Sequence, residues 1–316
     1  MYSFMFLFKY FPPLWLGWAL GANGASYSFG TAVATRVVRY RTAIILISIF
    51  AIIGALLEGE AGIKTISSIS NQTIASAGIL SLSAAFSVTI MTYFRLPVSI
   101  TQAVIGSIIG IGLLKGGLEW GGLWKVIIGG VATPLGAIVI AMIVYKILGY
   151  FYNKISSYML WDRVLKISFI IAGCYGAYSL GANNVANITG VYVSNGMMTP
   201  FTATLFGGLS IAFGVLTYSR NVMFTIGKDI VHLDSFSAFI VILAEAITVH
   251  IYALLGIPVP ISQATVGAVI GIGLLKGVRT VNKRTVINIG IGWVSTPLIS
   301  GIVSYLVYFI FRSVFV

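Results

Sequence analysis

Three asparagines stand close together in the stretch LGANNVANITG, residues 180–190, at the end of an apolar run long enough to cross a membrane. They are Asn183, Asn184 and Asn187. Carboxamides both donate and accept hydrogen bonds, and burying them without partners is costly. The stretch therefore predicts a polar binding site inside an apolar helix bundle. The alternative is a hydrogen-bonded contact between helices, which small and polar residues commonly make.

A related stretch, LGANGASYSFGTAV, occupies residues 20–33 and carries Asn23 and Ser26. Each stretch follows an apolar segment. We expect both to interrupt their helices, because glycine favours unwinding and polar side chains can satisfy the freed backbone groups. Two such interruptions facing each other would form one side of a binding site.

Two further stretches, PVSITQ (97–102) and PVPISQ (258–263), are typical of a helix N-terminus. The unpaired N–H groups and the positive end of the helix dipole attract anions there, although plain helix capping is the alternative. Because Pro260 stands where the first copy has a serine, the two half-sites are expected to differ. The neutral donors in these stretches are Ser99, Thr101, Gln102, Ser262 and Gln263.

The composition indicates an integral membrane protein. Of 316 residues, 58% are hydrophobic and 8% are charged, and the mean hydropathy is +1.01; a soluble domain has roughly 25% charged residues. The net charge of +12 does not indicate nucleic acid binding, because the basic residues are scattered singly between apolar runs, as in the cytoplasmic loops of membrane proteins. We therefore predict a multi-pass protein of the cell membrane whose partner is the lipid bilayer.

Ten apolar segments are candidate membrane-spanning helices. Three of them, 42–57, 98–114 and 259–275, could be re-entrant instead, since the first is short and the others are glycine-rich and follow proline. With all ten crossing, 14 Lys and Arg lie inside and 5 outside if both termini are outside, which favours that orientation. The ten are 4–20, 42–57, 74–94, 98–114, 126–148, 164–180, 200–217, 236–256, 259–275 and 286–311.

The chain repeats itself. Residues 20–33 match 180–193, residues 96–116 match 257–277 with an identical GIGLLKG, and VATPL (131–135) matches VSTPL (294–298). We therefore predict an all-α polytopic fold of two repeats, 1–150 and 160–316. Five spans are an odd number, so the second repeat would have the inverted topology. Inverted repeats with broken or re-entrant helices are typical of secondary transporters, which bind substrate where the halves meet.

Two ionisable residues, Glu245 and His250, lie inside the eighth span. Such residues are functional candidates by default, and His250 could carry protons near neutral pH. They are five residues apart, hence about 140° around the helix, so they are not expected to pair with each other. Glu58 and Glu60, at the end of the second predicted span, are expected to be interfacial.

These residues resemble the PiT family of inorganic phosphate transporters. Its duplicated signature, roughly G-A-N-D-V-A-N-S-x-G-T, is similar to 21–31 and 181–190, and its P-V-S-T-T-Q/H signature is similar to 97–102 and 258–263. The resemblance covers both halves in order. It implies a cation-coupled symporter of a tetrahedral oxyanion bound by these four stretches, and it makes a homodimer plausible.

The signatures depart from the family at informative positions. Gly24 and Asn184 replace the two aspartates, and Tyr27 replaces an asparagine. Those carboxylates are natural sodium ligands, so their loss favours H⁺ over Na⁺ as the coupling ion. A carboxylate could also accept the proton of phosphate, whereas it would repel sulfate. Inorganic phosphate is thus expected from the family, and a proton-coupled sulfate permease, a branch that GEAGIKTISS (59–68) also resembles, is the alternative.

Two other classes of protein, an anion channel and an intramembrane enzyme, are alternatives to a transporter. An anion channel would share the polar interior but would need a continuous wet path. An intramembrane enzyme is disfavoured, because the sequence offers no Ser/His/Asp set and no cluster of metal ligands. No cofactor, catalytic residue or bound metal is therefore expected.

Overall fold

The computed structural model describes residues 2–93, 98–194, 196–230, 233–277 and 283–315. Residues 94–97 and 278–282, which include the beginning of the PVSITQ stretch and a predicted inner loop, lie outside the described residues. Within the described ranges the chain forms ten α-helices: α1 (Tyr2–Ala34), α2 (Tyr40–Ile69), α3 (Ile74–Tyr93), α4 (Ile100–Lys115), α5 (Trp120–Tyr152), α6 (Tyr158–Thr189), α7 (Pro200–Ile230), α8 (Ser235–Leu254), α9 (Ile261–Lys276) and α10 (Lys283–Phe315).

Seven of the described helices, α2, α3, α5, α6, α7, α8 and α10, are long and apolar enough to cross a membrane. The prediction of an all-α polytopic membrane protein is therefore confirmed. The second predicted span, 42–57, is part of a 30-residue helix, so its short length in the sequence prediction was wrong. Beyond residue 57 the helix carries Glu60 and Lys64, which are exposed, one turn apart and joined by an ion pair. Pairs with this spacing stabilise a helix.

Helices α4 and α9 are short. Each has 16 residues, about 24 Å at 1.5 Å per residue, whereas the hydrocarbon core is about 30 Å thick. Their first turns are buried inside the bundle, at Ser99 and Val259. Each packs against the helix before it, α3 or α8, as a helical hairpin. This arrangement fits the re-entrant alternative for both segments.

At the ends of the two hairpins opposite to the buried turns, two lysines at corresponding positions of the repeat form polar contacts. The Lys115 ammonium donates to the backbone carbonyl of Asn71, at 2.6 Å. The Lys276 ammonium forms an ion pair with Asp234, whose side chain also caps the start of α8. Both hairpins are thus closed at the ends opposite to their buried turns.

The glycines of the two asparagine-bearing stretches do not break their helices. Helices α1 and α6 run without interruption through 20–33 and up to Thr189, so the expected interruption is wrong. A Cβ atom at Gly21 would lie 1.9 Å from the carbonyl oxygen of Ile211, and one at Gly181 would lie 1.9 Å from that of Ala51. These glycines are needed for direct backbone contact of α1 with α7 and of α6 with α2.

The same kind of contact recurs at positions that the sequence repeat relates. In each pair, a glycine of one helix meets a backbone carbonyl of a helix from the other half of the chain. The pairs, with the distance from a hypothetical Cβ to that oxygen, are Gly54 to Tyr178 (2.0 Å), Gly214 to Trp18 (2.0 Å), Gly106 to Pro297 (2.2 Å) and Gly267 to Pro134 (2.3 Å). Helices from the two halves of the chain therefore pack directly against each other, with their backbones in contact.

Candidate functional site

A small cavity lies where α1 and α6 meet the first turns of α4 and α9. Its volume is about 20 Å³, close to the space of one water molecule. None of its lining side chains is charged. The lining residues are Leu20, Asn23, Gly24, Tyr27, Val98, Ser99, Ile100, Thr101, Leu180, Asn184, Pro260, Ile261 and Ser262.

Both short helices begin at this cavity. The N–H groups in the first turn of a helix have no partner within the helix, and those of Ile100, Thr101, Ile261 and Ser262 belong to residues that line the cavity. The positive ends of two helix dipoles therefore converge on one small space, which favours an anion there.

The two helix starts are capped differently, as the sequence predicted. The Ser99 hydroxyl accepts a hydrogen bond from the backbone N–H of Gln102, at 3.3 Å, and so caps α4. Pro260, at the corresponding position before α9, has no side-chain hydrogen bond to offer. At the start of α9 the Gln263 N–H donates instead to the backbone carbonyl of Pro260, at 3.1 Å, so the corresponding N–H group is paired at both starts, by a side chain in one and by the backbone in the other.

Five of the predicted binding residues line the cavity, namely Asn23, Ser99, Thr101, Asn184 and Ser262. Among them, Asn184 has a buried Nδ2 group with no hydrogen-bond partner in the described chain. A buried N–H donor without a partner is costly, so it is a natural ligand for an anion. The cavity thus presents hydroxyl and carboxamide groups, not carboxylates, to whatever enters it.

Two further predicted residues position the lining rather than line it. The Asn187 carboxamide donates to the Thr101 hydroxyl at 3.0 Å and to Asn184 Oδ1 at 3.2 Å. It thereby ties α6 to the start of α4 and orients both acceptors. The Ser26 hydroxyl donates to the backbone carbonyl of Asn23, at 2.6 Å, within its own helix.

Asn183 holds the turn that precedes α9. Its Nδ2 donates to the carbonyl of Ile257 at 3.0 Å, and its Oδ1 accepts from the N–H of Val259 at 2.9 Å. Both hydrogen bonds go to backbone groups of the turn, and Asn183 is 1% exposed. In this structure the side chain therefore fixes the position of the second hairpin against α6.

We expect Asn183→Ala to destabilise the protein by displacing that turn. Losing two buried hydrogen bonds leaves two backbone groups unpaired, at a cost of about 1–3 kcal/mol each. Thermal unfolding of the purified protein in detergent measures the change. Ser179→Ala is the matched control, because the Ser179 hydroxyl only donates to Tyr175 of its own helix. Equal unfolding temperatures for Asn183→Ala and the control would contradict this role.

Gln102 and Gln263 lie next to the cavity but do not line it in this structure. The Oε1 atoms of both are buried without a partner among the described residues. Gln263 Oε1 lies 3.9 Å from the point where a Cβ on Gly130 of α5 would stand, so it faces α5. A direct role of these two carboxamides in binding stays a prediction.

His250 is paired with an acid from another helix. Its Nε2 lies 2.7 Å from Glu58 Oε2, and its Nδ1 lies 2.7 Å from the Tyr175 hydroxyl. The expectation that Glu245 and His250 do not pair is confirmed. Glu58 lies within α2, which continues to Ile69, and its interfacial position stays a prediction. A glutamate inside an apolar run was the sequence signal for this partner.

Tyr27 is a cavity residue that the sequence reasoning noted only as a departure from the signature. It lines the cavity together with Ser262, which belongs to the first turn of α9. Glu245 is 1% exposed, and its Oε2 has no hydrogen-bond partner in the described chain. Glu245 is thus a buried carboxyl group of α8 that is not among the residues that line the cavity.

Comparison with known proteins shows the family of this chain. The model of the phosphate transporter family matches residues 20–304. The chain belongs to this family. Among its relatives in the phosphate transporter family, a protein named "Putative phosphate permease" from Methanocaldococcus jannaschii is 32% identical over 289 residues, covering 91% of this chain and 92% of its own. The sulfate permease CysP of Bacillus subtilis is 31% identical over 298 residues, covering 92% and 84%.

A solved structure supports the fold. The chain is similar to a structure described as the sodium-dependent phosphate transporter, with a TM-score of 0.88 at 23% sequence identity. The similarity covers 98% of this chain and 99% of that one. The whole helical arrangement is therefore shared, including the two short helices at the cavity.

Proposed function

We propose that this member of the phosphate transporter family is a secondary active transporter that carries a tetrahedral inorganic oxyanion together with protons. The observation that carries the proposal is the convergence of two helix N-termini and a set of neutral donors on one small, uncharged cavity. Such a site suits weak and reversible binding of an anion, because no lysine or arginine lines it to hold the anion tightly.

Inorganic phosphate is the first candidate for the anion, because the family description and one of the two relatives name phosphate. Sulfate is the second candidate, and a specific observation favours it. No carboxylate lines the cavity to accept the proton that phosphate carries at neutral pH, since Gly24 and Asn184 stand where the family signature has aspartates. The second relative, named as a sulfate permease, is almost equally similar.

Protons are the proposed coupling ion, with Glu245 and His250 as the candidate carriers. Charged oxygen ligands favour a hard cation such as sodium, and the cavity lining offers only neutral oxygens. Glu245 is buried in α8, and His250 forms a hydrogen-bonded pair with Glu58. Both groups can bind and release a proton without a bound metal.

The proposed transport movement is a rocking of two inverted repeats, 1–150 and 160–316, around the bound anion. Each hairpin returns the chain to the side from which it came, so the orientation argument is unchanged whether α4 and α9 cross fully or turn inside. Both termini are therefore proposed to lie outside.

Uptake into proteoliposomes tests the proposed function. Radiolabelled sulfate and phosphate are each offered under an inward proton gradient and, separately, under an inward sodium gradient. We expect accumulation of one of the two anions that depends on the proton gradient and not on sodium. Accumulation driven by sodium alone would contradict proton coupling, and absence of uptake for both anions would contradict the proposed function.

The same vesicles separate a transporter from a channel. A transporter gives counterflow, in which unlabelled anion inside the vesicle drives saturable uptake of labelled anion outside. A channel gives flux that rises linearly with anion concentration and shows no counterflow. The small cavity, and the close packing of helices from the two halves of the chain, lead us to expect saturable counterflow.

We expect Thr101→Val to reduce transport about tenfold or more. The substitution keeps the shape of the side chain but removes a hydroxyl that lines the cavity, and a hydrogen bond to a charged group contributes about 1.5–3 kcal/mol. The initial rate of labelled anion uptake measures the effect. Thr265→Val is the matched control, since the Thr265 hydroxyl donates to Ile261 within its own helix. Equal rates in the two variants would exclude Thr101 from the site.

A further inference from the structure

A chain of hydrogen bonds joins a carboxylate, an imidazole and a phenol from three helices. His250, in the last turn of α8, has its Nε2 2.7 Å from Glu58 Oε2 of α2 and its Nδ1 2.7 Å from the Tyr175 hydroxyl of α6. The ring of Tyr178 stands almost perpendicular to the imidazole, with the ring centroids 5.5 Å apart. The side chains of Glu58 and His250 are 26% and 21% exposed. Both ring nitrogens of His250 therefore have a partner in a partly buried place.

This cluster can bind one proton without losing a hydrogen bond. A carboxylate only accepts, so in the neutral imidazole the Nε2–H donates to Glu58 and Nδ1 accepts from the Tyr175 hydroxyl; the pair of Glu58 and His250 then has one net negative charge. In the protonated imidazole the Nδ1–H donates to the Tyr175 oxygen, and the pair is neutral. The hydroxyl changes from donor to acceptor. Because both states are fully hydrogen-bonded, the proton can bind and leave reversibly, as imidazole does near neutral pH.

The other ionisable groups around the pair are engaged elsewhere or lie on other faces. Among the residues that the structure describes, no lysine or arginine forms an ion pair with Glu58. Glu60 and Tyr252 are each two residues from the pair, about 200° around the helix, and Glu245 is five residues away, about 140° around. On the neighbouring helices, Tyr27 of α1 lines the cavity, Lys125 of α5 donates to the Leu255 carbonyl, Lys276 of α9 pairs with Asp234, Tyr145 of α5 packs on Phe236, and Lys146 of α5 and Arg220 of α7 are exposed.

The pair is connected to the anion cavity through the turn between α8 and α9. His250 lies in the last turn of α8, which leads into it. Two turns beyond Glu58 on α2, the Thr65 hydroxyl donates to the Gly256 carbonyl of the same turn, at 2.6 Å. The turn is also held by Asn183 and continues into the start of α9, which lines the cavity. The two helices that carry the pair are therefore the ones that position this side of the anion site.

The repeated fold does not require this cluster, since it occurs in one half only. At the positions that the sequence repeat relates, the other half has side chains that do not titrate near neutral pH. They are Tyr218 in place of Glu58, Trp15 in place of Tyr175 and Thr89 in place of His250. The Thr89 hydroxyl donates to the Ala85 carbonyl within its own helix. The cluster therefore needs an explanation other than the packing of the repeat.

We propose that the Glu58–His250 pair binds the coupling proton and that Tyr175 completes its hydrogen bonds in both charge states. The proposal rests on the proposed proton-coupled anion transport and names the residues that perform the coupling. The proton adds to the imidazole of His250 from the solution on the side from which the anion enters. It leaves to the solution on the other side after the anion is released.

The physical reason is that the deprotonated pair and the anion disfavour each other. The deprotonated pair places one net negative charge on the helices that hold the start of α9, and this charge repels a dianion in the cavity. The protonated pair is neutral, so the repulsion disappears. Anion binding therefore favours protonation of the pair, and protonation favours anion binding by the same factor.

The test compares two transport modes of the full-length protein in proteoliposomes, with labelled sulfate and labelled phosphate as probes. Glu58→Gln removes the charge but keeps an oxygen that can accept from His250 Nε2. We expect the ratio of proton-driven accumulation to counterflow without a pH gradient to fall by about tenfold or more, because the neutral variant loses the charge change that links proton to anion. Glu60→Gln is the matched control, since Glu60 is exposed on the same helix and pairs with Lys64.

Tyr175→Phe tests the proposal independently, including the case in which Glu58→Gln does not fold or transports in neither mode. The variant removes the hydroxyl, and the charged imidazolium loses a stronger hydrogen bond than the neutral imidazole does. We therefore expect the pH dependence of proton-driven accumulation to shift to lower pH by about half a unit to one unit. Tyr152→Phe is the matched control, because the Tyr152 hydroxyl donates to Ser168, two turns before Tyr175 on α6.

Three outcomes decide between the proposal and its alternatives. An unchanged ratio in Glu58→Gln would overturn the proposal, and a lowered ratio in Glu245→Gln instead would place the coupling proton on Glu245. A pH dependence of Tyr175→Phe that matches the Tyr152→Phe control would also overturn it. If the unmodified protein accumulates neither anion under a proton gradient, the proposed function itself is wrong, before any variant is compared.

Discussion

Replacing Gly181 with alanine is expected to prevent correct packing of α6 against α2. The added Cβ would stand 1.9 Å from the carbonyl oxygen of Ala51, a backbone atom that cannot rotate away. The helices would have to separate, which also loosens the nearby contact between Gly54 and Tyr178. Overpacking a core costs about 1–3 kcal/mol and occasionally more, and a clash with backbone places this variant at the upper end or beyond.

Size-exclusion chromatography and thermal unfolding of the detergent-solubilised protein measure this effect. We expect Gly181→Ala to lose the monodisperse peak or to lower Tm by roughly 5–10 °C. Gly136→Ala is the matched control, because its Cβ would meet its nearest neighbour, the Thr248 methyl group, at an ordinary 4.0 Å. An unchanged peak and Tm for Gly181→Ala would show that close helix contact is not the reason for glycine here.

The positions of the helix starts could be predicted from the sequence, because their signal is local. Proline followed by hydroxyl and carboxamide residues indicates a helix N-terminus whatever surrounds it. The structure accordingly begins α4 at Ile100 and α9 at Ile261, within the two predicted stretches. The prediction that Pro260 would make the two starts unequal depended on the same local chemistry.

The role of the glycines could not be predicted, because it depends on which helix lies opposite. In sequence, Gly21 and Gly181 indicate equally well an unwound segment or a close helix contact. Only the contact with Ile211 or with Ala51 decides between these, and both partners are distant in the chain. The repeat indicated that Gly21 and Gly181 share one role, but it did not indicate whether that role is an unwound segment or a close helix contact.

The partners of buried ionisable groups could not be predicted from the sequence for a related reason. The spacing of Glu245 and His250 correctly predicted that the two side chains do not pair, because the geometry of a single helix is known in advance. The end of the helix that carries Glu58 was not predicted, because a hydropathy pattern ends a span at its first charge, whereas α2 continues for another eleven residues to Ile69. Its pairing with His250, 192 positions away, required the packing of α8 beside α2 and α6.

Restoring a carboxylate to the cavity is expected to change the choice of anion. Asn184 lines the cavity, and its Oδ1 already accepts a hydrogen bond from Asn187, which an aspartate could also do. Asn184→Asp therefore adds charge with little change of shape. Two unit charges roughly 5 Å apart at an effective dielectric constant of about 20 repel by about 3 kcal/mol, which corresponds to about a hundredfold in binding. Sulfate has no proton with which to relieve this repulsion.

Phosphate can donate its remaining proton to the new carboxylate, so its binding is expected to suffer far less. Competition between labelled phosphate and unlabelled sulfate in proteoliposomes gives the selectivity directly, and we expect the preference for phosphate over sulfate to rise at least tenfold in Asn184→Asp. Asn184→Ala is the control, since it loses the same carboxamide without gaining charge. An equal shift in both variants would mean that the donor group, not the missing carboxylate, sets the selectivity. An unchanged preference in Asn184→Asp would place the anion away from Asn184, and the neutral cavity would then no longer be an argument for sulfate.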